Sequence, residues 1–134
     1  MNFDDFIKEG KVRSTEKNES LIKSIRDSAE GDLKFFKEIE IEEKSARKIV
    51  SNFYDILRSF LEAFALSKGY KIYSHEAFTS FLIKIGENDF AEKFDRFRRI
   101  RNKINYYGKD VSVEEAGEYI KEIKVLIKSV KEKL

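Results

Sequence analysis

Residues 89–108 read DFAEKFDRFRRIRNKINYYG. At about 100° per residue, Phe90, Phe94, Phe97, Ile100 and Ile104 fall within one arc of about 120°, the core face of an amphipathic helix. The helix is expected to run from Asp89 to Tyr107 and to stop at Gly108. Arg101 lands inside the apolar arc, and Arg98, Asn102 and Asn105 lie on its shoulder, all four within about 100° of one another. A guanidinium in that position needs a planar anionic partner, because burying it unpaired is costly. Two readings stay open. Arg101 pairs with an acid from a neighbouring helix while Asn102 and Asn105 cap the helix end, or the group grips phosphate with Tyr106 and Tyr107 available to stack on a base. The clustering of Arg98, Arg99 and Lys103 around Arg101 speaks for the second.

Outward from this helix, the apolar period gives five helical segments and no convincing strand. A short amphipathic piece with Phe3, Phe6 and Ile7 precedes Gly10. A helix over about 16–39 carries Ile22, Ile25, Ala29, Leu33 and Phe36, with Gly31 as a place for a kink. The segment over about 42–67 is the most hydrophobic. Its stripe of Ile49, Phe53, Ile56, Phe60 and Phe64, widened by Val50, Leu57 and Leu61, marks a central helix ending at Lys68-Gly69. Ser74 opens a short helix that turns Phe78, Phe81, Leu82 and Ile85 inward and stops at Gly86. Ser112 and Glu115 form a capping box for the last helix, whose seam is Val113, Ala116, Ile120, Ile123, Ile127, Val130 and Leu134. The expected fold is all-α, an antiparallel four- to five-helix bundle spanning residues 1–134 as one domain.

Composition narrows the chemistry. The 134 residues contain no cysteine, which excludes disulfides, zinc–thiolate sites and thiol catalysis. No apolar run approaches the roughly 20 residues that span a bilayer, and the opening MNFDDFIKEGK is acidic where a signal peptide is basic, so a cytoplasmic protein is expected. Net charge is only +2, yet residues 93–109 hold seven Lys or Arg against Asp95, so this window carries +6 and the rest of the chain −4. The acid pairs Glu42-Glu43 and Glu114-Glu115 point to different sides of a helix with no histidine at ligand spacing, so no metal or cofactor is expected. Glycines are scattered and form no phosphate loop. Tyr70, Tyr73 and Tyr119 read as core-edge side chains with a wet hydroxyl.

The helix pair with YDILRSFLEAFALSKGYKIYSHEAF in the middle, RRIRNKINYYG closing the fourth helix and the amphipathic last helix together resemble the HEPN domains. These are small helical bundles found in prokaryotic toxin–antitoxin pairs and in RNA-cleaving enzymes. In active members an Arg is followed by a polar residue, often Asn, and a few residues later by a His. Two such sites face each other across a homodimer and cleave RNA without metal. Arg101 and Asn102 match the first two positions, whereas Asn105 or Tyr106 stands where the His would be. The resemblance thus implies a homodimer that binds RNA or a nucleotide through Arg101 and Asn102, to which the helical wheel adds Arg98 and Asn105 and the helix end adds Tyr106 and Tyr107. It also implies a place in a toxin–antitoxin-type pair with a nucleotidyltransferase partner protein.

The missing histidine weighs against cleavage, since metal-free hydrolysis needs a group that moves a proton near neutral pH. Asn has no such proton, and Tyr titrates near 10 unless strongly activated. The one histidine, His75, reads most simply as a surface or capping residue; a sharper reading sets it across a cleft from Arg101 as the proton carrier. The expectation is therefore a binding module without cleavage. Its rivals are a metal-independent ribonuclease using Arg101, Asn102 and Tyr106 or His75, and a purely structural dimerisation module.

Overall fold

A computed structural model describes residues 1–134, and the chain in it is mostly helical. The elements in order are α1 (Phe3–Lys8), β1 (Val12–Ser14), α2 (Glu19–Lys37), α3 (Ala46–Ser67), β2 (Tyr70–Ile72), α4 (His75–Lys84), α5 (Asn88–Tyr107) and α6 (Val113–Glu132). The helical bundle is as expected. No helix is long and apolar enough to cross a membrane.

The central helix is α3. Its wide stripe leaves Phe53, Leu57, Phe60 and Leu61 at 1% exposure or less, with α2 and α6 packed along it and α5 against a further side. The α5 arc is seated as its spacing predicts: Phe90, Phe94, Phe97, Ile100 and Ile104 are all buried. Along the α3–α5 contact, residue 51 meets 105 and residue 55 meets 101, so the two helices run antiparallel. In the last helix, Val113 is exposed rather than part of the seam, because the capping box places it in the first turn outside the core. That box forms as expected, with Glu115 N donating to Ser112 Oγ at 3.0 Å and Ser112 N to Glu115 Oε1 at 3.2 Å.

Several boundaries differ for local reasons. The second helix begins at Glu19, not Glu16, because Asn18 caps it through a 3.1 Å bond from Leu21 N. It runs through Gly31 without a break. The third begins at Ala46, since Ser45 Oγ closes a turn with Glu42 instead. Ser74 occupies the N-cap of α4 without a side-chain cap bond.

Two strands were not expected. Antiparallel β1 and β2 pair Val12 with Ile72, Arg13 with Lys71 and Ser14 with Tyr70, and Val12 and Ile72 are buried. Three residues are too few for a period-2 pattern to stand out, and the pairing joins segments far apart in the chain.

Gly108 ends α5 with φ +62°, and Gly108 N and Lys109 N both turn back on Lys103 O, the latter at 3.1 Å. A Cβ here would meet nothing within 4 Å. The cost of Gly108→Ala is therefore conformational only, and we expect a loss of about 1 kcal/mol in chemical denaturation with no change in helical content.

Candidate functional site

The basic helix packs on α3 through a short ladder of polar contacts. Ser51 Oγ donates to Asn105 Oδ1 at 2.9 Å. One turn further along α3, Asp55 Oδ1 lies 3.6 Å from Arg101 Nη2, close enough for attraction but too long for a hydrogen bond. The Arg101 guanidinium sits 5.7 Å over the ring of Tyr54. Its Nε is sealed from solvent and has no partner. Arg101 is thus half-buried and under-paired: an acid from a neighbouring helix does approach it, as one sequence reading expected, but does not saturate its donors. Asn105 bonds across to α3 rather than capping its own helix.

Tyr54, fully buried, brings His75 into the same site. Its hydroxyl is 2.9 Å from His75 Nδ1, and the two rings stack at 5.8 Å. A buried hydroxyl proton needs an acceptor, and Nδ1 is the one within reach. Tyr54 therefore donates to Nδ1, which leaves the remaining imidazole proton on Nε2. Burial pushes the His75 pKa down from 6.5 to about 4, with Arg58, Arg101 and Arg98 adding repulsion. His75 is a neutral N–H donor at pH 7. Burial likewise raises the Tyr54 hydroxyl well above its ordinary value, against the pull of Arg101, Arg58 and Arg98, so the phenol keeps its proton. Asp55 is raised above the usual carboxylate value by burial, an effect that Arg101 and Arg58 only partly offset.

The other cations are tied up differently. Asp95 accepts from Arg98 Nε at 2.9 Å and from Thr79 Oγ1 at 3.1 Å, and lies 3.4 Å from Arg99 Nε. Glu76 stands 3.7 Å from Arg98. Lys93 pairs with Asp89 and Arg96 with Glu122. The +6 window is therefore not a bare cationic surface. Its exposed pairs are worth only about 0.2–1 kcal/mol each, so an incoming anion can compete for those side chains.

His75, Glu76, Arg98, Arg101, Asn102 and Tyr106, with Lys11 and Ser74, line one cleft of about 520 Å³. Asn105 lies outside it, in a neighbouring hollow of about 350 Å³ with Arg47, Lys48 and Asn52. Tyr106 and Tyr107 are 72% and 84% exposed, and only Tyr106 lines the cleft. A larger groove of about 760 Å³ between α2 and α6 is floored by Leu33, Ile120 and Ile127 and contains none of this set. No three His, Asp or Glu side chains converge as a metal site.

The sequence reading placed Arg98, Arg101, Asn102 and Tyr106 together, as found, and Asn105 and Tyr107 with them, which the cleft does not. Of the two readings of His75, the surface or capping residue does not hold, because the imidazole is half-buried and bonded to Tyr54, while the placement in one cleft with Arg101 does. Tyr54, Asp55 and Lys11 were missed. The signal for Tyr54 was present: it falls between Val50 and Leu57 in the α3 stripe, where a hydroxyl needs a partner. The chain matches no protein-family model, and no curated protein matches it.

Proposed function

We propose that the chain is a HEPN-like RNA- or nucleotide-binding module that holds phosphate in the Arg98–Arg101–Asn102–His75 cleft and does not cleave it. The observation that carries this reading is the under-paired Arg101 beside a neutral His75 whose Nε2–H is free to donate. A phosphate oxygen in the cleft would accept from the outer guanidinium nitrogens and from Nε2–H at once, with charge-assisted bonds that Asp55, 3.6 Å from Nη2, does not make; the sealed Nε stays out of its reach. Cleavage is disfavoured by the same geometry. With Nδ1 taken by the Tyr54 proton, His75 has no free lone pair to act as a base. An imidazolium with a pKa of about 4 is scarce as an acid at pH 7.

A second reading, a metal-independent ribonuclease, draws support from His75 and Arg101 sharing one cleft. It requires the imidazole to release Tyr54 and change tautomer. A homodimer, and pairing with a nucleotidyltransferase in a toxin–antitoxin-type system, belong to the same HEPN-like proposal.

The test is a gel of the purified protein with mixed single-stranded RNA and tRNA in EDTA, wild type beside Arg101→Ala. Shifted, intact RNA with the wild type and a weakened shift with the variant support binding alone. Cleavage lost in the variant supports the ribonuclease. No shift and no cleavage, with a dissociated Arg101→Ala oligomer, would make the cluster a dimerisation feature.

A further inference from the structure

The β1–β2 ribbon has two unlike faces. Val12 and Ile72, opposite each other, are buried. Side chains alternate along a strand, so Arg13 and its partner Lys71 lie on the outer face. Tyr73 N donates to Lys11 O at 2.8 Å and extends the ladder by one step, which puts Lys11 and Tyr73 on that outer face too. Tyr73 is not the core-edge tyrosine its sequence suggested: it is 57% exposed. The Arg13 guanidinium and the Lys71 ammonium lie 5.7 and 5.8 Å from its ring centre. Lys71 is also bonded to Glu62, which takes Arg58 as well, so part of its charge is spent.

This face runs into the cleft. Lys11 lines both, and Tyr73 is followed directly by Ser74 and His75, which line the cleft. An exposed ring flanked by cations, continuous with a cleft that holds Arg98 and Arg101, is the arrangement by which proteins hold unpaired nucleic acid: stacking on bases, cations on the backbone. A duplex keeps its base faces stacked inside and has none to offer.

We propose that the outer face of the β1–β2 ribbon extends the cleft into a track for single-stranded RNA, with Tyr73 stacking on a base and Arg13 and Lys11 holding adjacent phosphates. The proposal rests on the phosphate-binding reading of the cleft and names its ligand class, a strand several nucleotides long rather than a free mononucleotide.

The experiment is fluorescence anisotropy of a labelled single-stranded RNA of about 12 nucleotides, with a duplex of equal length and AMP as competitors. Wild type is compared with Tyr73→Ala, Tyr73→Phe, Arg13→Ala and Arg101→Ala, each checked for an unchanged thermal melt. Tyr73→Ala is expected to weaken binding of the single strand about ten-fold while Tyr73→Phe stays near wild type. Arg13→Ala should weaken binding and flatten the slope of log affinity against log salt by about 0.7, one phosphate contact on a single strand. Competition by AMP should be untouched in the ribbon variants, and the duplex should compete poorly. Unchanged binding by Tyr73→Ala, or a duplex that competes equally, overturns the ribbon while a loss in Arg101→Ala keeps the cleft. The reverse pattern, with Tyr73→Ala weakened and Arg101→Ala intact, overturns the cleft reading instead. A wild type that binds no RNA overturns both.

Discussion

Arg101→Ala is expected to lower RNA affinity by more than ten-fold while costing the fold no more than about 1 kcal/mol. The two effects separate because of how Arg101 is held. Its one acid neighbour, Asp55, is 3.6 Å away and 44% exposed at the side chain, so it can rehydrate when the guanidinium is removed. The unpartnered Nε disappears with it, which removes a cost rather than a gain. What is lost is the planar, always-charged fork aimed at the cleft. Lysine is a poor substitute, because a point charge does not reproduce two parallel N–H donors. Arg101→Lys should therefore recover only part of the affinity. Salt titrations of wild type and both variants check this, and a stability loss larger than the binding loss would make Arg101 a packing residue.

The second large effect is on pH. His75 titrates near 4 in the folded chain and near 6.5 when unfolded, so the neutral imidazole belongs to the native state. Above about pH 6.5 both states are neutral and the contribution is constant. Between pH 6.5 and 4 the unfolded chain takes up a proton that the folded chain refuses, so stability falls as pH falls. One unit of such mismatch is worth about 1.4 kcal/mol, and solvent in the open cleft screens it, so we expect a loss of roughly 1–2 kcal/mol across the window. Asp55 works in the opposite sense just above its ordinary value of 3.8, where the folded chain holds its proton longer, and so blunts the lower end. Urea melts of wild type and His75→Gln from pH 7.5 to 4 make the comparison, the variant lacking the slope. In Tyr54→Phe the imidazole loses the donor that favours its neutral form, so its pKa should rise, while burial and the three arginines still hold it below 6.5. An equal slope in His75→Gln would assign the loss to carboxylates instead.

The helices were legible because each long one repeats its apolar spacing several times, so that single exceptions such as Gly31 or Val113 do not obscure the period. The ribbon was not, since its two short strands acquire meaning only when Val12 meets Ile72. The site was half legible. A helical wheel places Arg98, Arg101, Asn102 and Asn105 on one side of α5, but it discards position along the axis. The axial step separates them: Asn105, one turn beyond Arg101, meets Ser51, while Asp55 stands opposite Arg101. The choice between the two readings of His75 was beyond reach for another reason. The residue's role is set by Tyr54, 21 residues earlier on a different helix, and by three arginines on α3 and α5. No local pattern encodes that meeting.

With a single histidine in the chain, the imidazole resonances of His75 can be assigned without ambiguity. The most direct measurement is to follow them by NMR at pH 7 while titrating a short single-stranded RNA in EDTA. A saturable shift of the Nε2–H signal, with the RNA recovered intact, is the result expected if phosphate sits between Arg101 and a neutral His75. An unmoved His75, or RNA recovered in pieces, would contradict it.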